Sequence, residues 1–274
     1  MITTKQGAIP EAPNGRTTDH SLHPRDGIEG NSTRKIAFVA GVLFLITFVT
    51  SIPAQFMFYH ALLTDPAKYI LGTGGDPAVS LGALLEVILA VAGVGSAVVL
   101  YPITKRQNHA VALAYVTSRV LESALIMVGI VSLLSVVTLR QHVAGTDTAS
   151  LITAGKSLVA VHDAAFLLGP TLLAGIGNGI LLGYLMYRSG LVPRGMALLG
   201  LIGGPLIIAS GTAVLFGGIQ AGGAAQTIAT VPEFLWELFL GIYLTVKGFR
   251  PSPITAMDAA VRIPEATSVS RERV

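Results

Sequence analysis

The chain contains no cysteine and one tryptophan, and only 12% of its 274 residues are charged. Without cysteine there is no disulfide scaffold to staple a small extracellular fold. A soluble globular chain carries about 25% charged residues. Half that density excludes a nucleic-acid-binding surface and a chain that is disordered throughout. Aromatics are also scarce, at 7%. What fills the space is aliphatic: 52% of the residues are hydrophobic, and the mean hydropathy is +0.69. The main solvent is therefore lipid. The net charge of +3 and the pI near 9.3 come mostly from lysines and arginines between the apolar runs.

A membrane helix needs roughly 20 apolar residues, because each residue rises about 1.5 Å across a hydrocarbon core of about 30 Å. Six runs meet this: Ile36–Phe58, Val79–Leu100, Val111–Leu139, Leu158–Tyr187, Met196–Gly217 and Ile228–Val246. The third and fourth exceed a perpendicular span, so they tilt or project beyond the bilayer. None shows the period-two alternation of a barrel strand. The first run starts behind a polar leader and is too long for a signal-peptide core, so it reads as an uncleaved span. The expected fold is an all-α, polytopic bundle over residues 32–250. Residues 1–31 and 251–274, rich in Gly, Pro, Thr and mixed charge, read as disordered tails.

Orientation follows from the basic residues outside the spans. Fourteen fall on one side: the N-terminal tail through Lys35, then Lys105, Arg106, Arg188 and Arg194, then Lys247 and the residues after it. Three fall on the other: Lys68, Arg140 and Lys156. This split places both termini in the cytoplasm of a cell-membrane protein. Tyr101, Tyr184 and Tyr187 then mark the inner interface, and Tyr59 and Tyr69 the outer one.

Inside the spans stand five ionisable groups: Glu86, Arg119, Glu122, Glu233 and Glu237. A charge at the bilayer centre is unfavourable by about 2.5–3.5 kcal/mol on insertion scales, so these groups face the bundle interior. Measured from the cytoplasmic helix ends, they lie about 14–22 Å up, and Asn178 falls at about 15 Å. Arg119 and Glu122, at i and i+3, share a helix face, as do Glu233 and Glu237 at i and i+4. One guanidinium facing up to four carboxylates is unbalanced. Two readings stay open. In the first, the layer is an ion-pair lock that fixes helix packing. In the second, it is a proton, cation or small-solute site, which the surplus of acids favours.

His162 and Asp163 form the other polar pair in a span. The ruler places them about 38 Å from the Tyr187 end, at the outer surface. They read as a polar helix start, or as the outer-leaflet residues of an enzyme acting on a lipid. Adjacent residues point about 100° apart on a helix and chelate one metal poorly. No second histidine stands in the six runs, so no metal and no cofactor is implied. Gly175, Gly179 and Gly183, with Gly200 and Gly204, mark close helix seams. Pro53, Gly169-Pro170 and Gly203-Gly204-Pro205 predict bends. Gly72-Thr73-Gly74-Gly75-Asp76-Pro77 reads as an external turn, since it lacks the Lys-Ser/Thr of a phosphate loop. No inverted repeat links the two halves, and no hydrolase or kinase motif is present.

Several stretches carry a resemblance. Ser32-Thr33-Arg34-Lys35-Ile36 leads into Gly41-Val42-Leu43-Phe44-Leu45-Ile46-Thr47. Glu86, Arg119, Glu122 and Glu237 stand in their spans. Gly183-Tyr184-Leu185-Met186-Tyr187-Arg188-Ser189-Gly190-Leu191-Val192-Pro193-Arg194 is the most specific stretch, and Tyr243-Leu244-Thr245-Val246-Lys247-Gly248 closes the domain. From Ser32 to Arg250 the chain resembles a bacterial integral membrane family, the domain of unknown function 4386. The resemblance implies a polytopic inner-membrane protein and assigns no substrate, cofactor or catalytic residue. The expectation is a multi-pass membrane protein whose partners are the bilayer and, on the transporter or channel reading, a small molecule or ion. An accessory structural subunit is the alternative. Enzyme activity has no motif to support it.

Overall fold

The computed structural model describes residues 24–72, 75–141 and 147–252. Most of both expected tails lies outside these residues. The described residues form helices and no strand. The elements are α1 (Pro24–Pro53), α2 (His60–Thr64), α3 (Pro66–Leu71), α4 (Asp76–Thr104), α5 (His109–Gln141), α6 (Thr148–Phe166), α7 (Gly183–Ser189), α8 (Arg194–Leu215) and α9 (Ala224–Val246). α1 begins inside the stretch expected to be tail.

Six helical stretches are long and apolar enough to cross a membrane: Ser32–Phe58, Asp76–Thr104, His109–Gln141, Thr148–Ser189, Arg194–Leu215 and Ala224–Val246. A helix satisfies its own backbone polar groups, which hydrocarbon cannot do. Val49, Val91, Val131 and Val246 are each more than 60% exposed, as an outer face against lipid requires. The six spans form a closed ring in chain order. Each packs on its sequence neighbours, and α9 returns to α1. The first and sixth spans meet where the chain enters and leaves. There Arg34 donates to the carbonyls of Leu244, Thr245 and Val246 at 2.9–3.3 Å. A guanidinium over the last carbonyls of a helix complements its macrodipole. Both ends of the domain therefore lie at one end of the bundle, called here the terminal end.

Proline shapes the backbone at two places. After Pro53, residues Ala54–Phe58 form a π-helical turn, with Tyr59 N–H donating to Ala54 at 2.9 Å. The fourth span changes from α to π winding at Leu167–Leu173 and again at Gly175–Leu182. Pro170 has no N–H to give the Phe166 carbonyl. The Thr171 hydroxyl donates to that carbonyl instead, at 3.4 Å. The expected break at Gly169-Pro170 is thus a change of winding that keeps the helix continuous. α8 likewise runs on through Gly203-Gly204-Pro205.

The glycine ridges are seams, as expected. A Cβ on Gly175 would lie 2.9 Å from the Gly204 carbonyl oxygen, and one on Gly179 would collide with the Gly204 Cα. On the other side of α8, a Cβ on Gly200 would lie 2.7 Å from the Trp236 ring, and one on Gly203 2.8 Å from the Glu233 Cα. The fifth span therefore meets the fourth and the sixth at backbone distance. At the terminal end the ring is filled by a continuous apolar core that includes Phe44, Leu100, Leu182, Leu185, Trp236 and Leu240.

At the opposite, distal end, α3 packs on α6 and α5, and α2 packs on α3. Asp76 anchors them. It accepts from the Tyr69 hydroxyl at 2.9 Å and pairs with Arg140 at 2.6 Å. Arg140 also donates to the Gly72 carbonyl at 2.8 Å, and its guanidinium lies 4.9 Å from the Tyr69 ring centroid. The turn read around Asp76 is therefore also the start of a helix and a tether. Burial, with the Asp76 carboxylate adding to it, pushes the Tyr69 phenol from 10.0 up to about 12, while Arg140 opposes the shift.

Two outcomes are expected. Gly179→Leu drives a side chain into the backbone of α8 and destabilises the bundle by about 1–3 kcal/mol, read as a lower thermal midpoint in detergent micelles. The Tyr69 phenol holds its proton more tightly folded than unfolded. Its contribution is whole below pH 10 and disappears as pH rises towards 12. The thermal midpoint of the native chain should therefore fall across that window more steeply than that of Tyr69→Phe.

Candidate functional site

The distal half of the ring is not filled. A cavity of about 520 Å³ opens there, and all six spans line it. Its walls are largely apolar and include Phe48, Phe56, Phe166 and Phe234. Phe48 and Phe234 meet edge to face, with ring centroids 5.2 Å apart. Thr47, Ser51, Thr227 and Thr230 add hydroxyls. Arg119, Glu122, Glu233 and Glu237 also line it. These four stand on spans three and six, at the level where the apolar core of the terminal half begins. The cavity is therefore a blind vestibule with a charged floor.

Arg119 and Glu122 are both buried and pair at 2.6 Å. The i, i+3 spacing expected to place them on one face does so. The Arg119 Nε also donates to the Gly93 carbonyl at 3.4 Å. A Cβ on Gly93 would stand 2.7 Å from an Arg119 terminal nitrogen, so glycine makes room for the guanidinium beside α4. Ser118 and Ser123 flank the pair. Ser118 donates to the Leu173 carbonyl at 2.9 Å and Ser123 to the Ala90 carbonyl at 3.1 Å. These hydroxyls bind the third span to the fourth and second. The sequence did carry a signal for them, the run Ser118-Arg119-x-x-Glu122-Ser123 on one helix face.

Asn178 joins the floor from the π-helical part of the fourth span. Its side chain donates to Glu237 at 2.7 Å, and its backbone carbonyl accepts from the Trp236 indole at 2.9 Å. The layer inferred from helix depth thus brings together Arg119, Glu122, Asn178, Glu233 and Glu237. Glu233 differs from the rest. It is only 3% exposed, yet neither carboxyl oxygen has a hydrogen-bond partner among the described residues. One of them sits 2.8 Å from where a Gly179 Cβ would be and 2.9 Å from where a Gly203 Cβ would be. The carboxyl occupies a slot that two glycines leave open, beside the cavity. A buried polar group without a partner is unfavourable by about 1–3 kcal/mol, and more if charged. The carboxyl is therefore enclosed at the edge of the cavity with its hydrogen-bonding capacity unused.

Glu86, expected in the same layer, does not line the cavity. It is buried on the second span and accepts from the Tyr59 hydroxyl at 3.1 Å. Tyr59, read as an interfacial ring, is fully buried because the π-helical turn after Pro53 brings it over Gly82. His162 packs against the same tyrosine, with ring centroids 6.0 Å apart, and against Phe166 at 5.0 Å. Its ring is also fully buried, so at that height it faces the neighbouring helices. The first turns of the fourth span pack against α3. The neighbouring Asp163 side chain is 65% exposed and reaches the His162 Nδ1 at 3.2 Å. Tyr59, Glu86 and His162 thus form a second polar contact, separate from the cavity floor. Among the described residues no three acidic or histidine side chains gather to hold a metal ion.

The family model described as "Domain of unknown function (DUF4386)" matches residues 39–248. No curated protein and no solved structure matches the chain.

Removing the guanidinium leaves the buried Glu122 carboxyl alone. Arg119→Ala should destabilise the folded protein by about 3–5 kcal/mol, seen as reduced membrane abundance and a lower thermal midpoint. Adding Glu122→Gln should restore a large part of the loss. A double change no better than the single one would show that the two side chains do not act as a pair.

Proposed function

The chain belongs to the domain of unknown function family DUF4386, and from its cavity we propose that it is a carrier that takes a small solute across the membrane. The observation that carries this reading is the unpartnered Glu233 carboxyl beside a cavity of about 520 Å³ in the distal half, above the apolar core that fills the terminal half. Ligand sites are concave, mostly apolar and furnished with a few convergent polar groups, and intramembrane acids often line transport pathways. A channel would need a path through the terminal half, which Phe44, Leu182, Trp236 and Leu240 fill. A site reached from one side at a time suits a carrier better.

The excess of lysine and arginine at the terminal end supports cytoplasmic termini. The vestibule then faces outward in this conformation. An accessory structural subunit would explain the Arg119–Glu122 pair and the glycine seams. It gives no reason to leave Glu233 without a partner. An enzyme acting on lipid from His162 would need that ring accessible, and it is enclosed.

The absence of cysteine permits a direct test. Thr47→Cys lies within the vestibule, and Leu240→Cys within the apolar core. A membrane-impermeant thiol reagent added outside intact cells should modify the first and not the second. In inverted vesicles the same Thr47→Cys should react more slowly but measurably, because the carrier also visits a conformation open to the terminal end. Reaction from one side only, under every condition, would overturn the carrier reading.

A further inference from the structure

The vestibule also states what it can hold. We infer that its substrate class is a small lipophilic organic cation, such as a substituted amine or ammonium; this rests on reading the cavity as a solute site.

Three observations converge. First, the floor has one guanidinium against three carboxyls. The guanidinium is engaged with Glu122 at 2.6 Å and with the Gly93 carbonyl, so it is already occupied by an acid. An anionic solute would have to displace Glu122 and leave that carboxylate unpaired in a dry interior, which is strongly unfavourable. Glu237 accepts from Asn178. That leaves Glu233 with two free acceptor oxygens, buried and without a donor. A carboxyl in this position calls for a group that brings donors or positive charge.

Second, the walls suit the rest of such a molecule. Four phenylalanines, at positions 48, 56, 166 and 234, line the cavity. Aromatic faces attract cations through the ring quadrupole, and more strongly where water is excluded. They also shelter an apolar body. An inorganic cation would want a cage of oxygens, whereas most of the wall surface is apolar. Third, the hydroxyls of Thr227 and Thr230 stand on the same helix as Glu233 and on the same cavity wall. They offer a polar track from the mouth to the carboxyl.

The test uses the full-length chain in detergent at pH 8 and two probes of similar size and opposite charge, benzyltrimethylammonium and benzenesulfonate. The readouts are the fluorescence of Trp236, the only tryptophan, and protection of Thr47→Cys from the thiol reagent. Trp236 reports on the site because its indole is bonded to Asn178, whose side chain holds Glu237. The ammonium should shift the fluorescence saturably and slow modification at least threefold. Glu233→Gln should weaken its apparent affinity at least tenfold, and Glu237→Gln should weaken it too should the first variant fail to fold. Glu86→Gln, outside the cavity, should leave it unchanged.

Protection by the sulfonate and not by the ammonium would overturn the cation assignment while keeping the cavity as a solute site. Equal protection in native and Glu233→Gln chains would overturn the role given to that carboxyl. No protection by either probe, with Thr47→Cys reacting from both membrane sides, would end the cation class and leave the carrier standing. No protection with reaction from one side alone would end both.

Discussion

Charge buried away from water must find its partner inside the fold, and among the described residues around the cavity floor Glu233 is left without one. Arg119 meets Glu122 one helical turn along its own helix, and Asn178 reaches across from the fourth span to Glu237. These contacts settle two of the three acids around the cavity floor. The second also ties the fourth span to the sixth. Glu233 is left over. Its position is fixed by the glycines at 179 and 203, which allow its carboxyl to lie between the fourth and fifth spans without meeting a donor. An interior organised only for stability would fill that slot or replace the acid.

Close packing and open space are distributed unequally along the bundle axis, and the distribution has a cause. Towards the terminal end, large apolar side chains from all six spans meet and close the ring. Towards the distal end, the second, third and fourth spans stay together under α2 and α3, through an apolar cluster that includes Tyr59, Leu62, Ile70 and Leu133. The fifth and sixth spans have no part in that cluster. The vestibule is the space between the two groups. π winding in the fourth span contributes, since it turns Asn178 and its carbonyl towards the sixth span. Such winding recurs at functional sites for this reason: it re-aims side chains without breaking the helix.

Two polar centres result, and they differ in kind. The floor of the vestibule is charged and lies beside open space. The contact of Tyr59, Glu86 and His162 is enclosed by rings and by the glycines at 82 and 129. Phe166 links the second to the cavity, since it packs on His162 and lines the cavity wall.

Much of this was legible in the residues. Hydropathy runs and their lengths gave six spans, because the bilayer imposes one length scale on every helix. Spacing of three and four residues placed Arg119 with Glu122 and Glu233 with Glu237, because the helix repeat is local. Glycines at every fourth position marked the seams for the same reason. The rest was decided by tertiary structure. A helix ruler gives height but not azimuth, so it grouped Glu86 with the floor when that helix turns it towards Tyr59. It gave the height of His162 but not that Tyr59 and Phe166 enclose the ring there. Whether the polar layer closes on itself or borders a cavity depends on the fit of six helices at once, and no single run of residues encodes that fit.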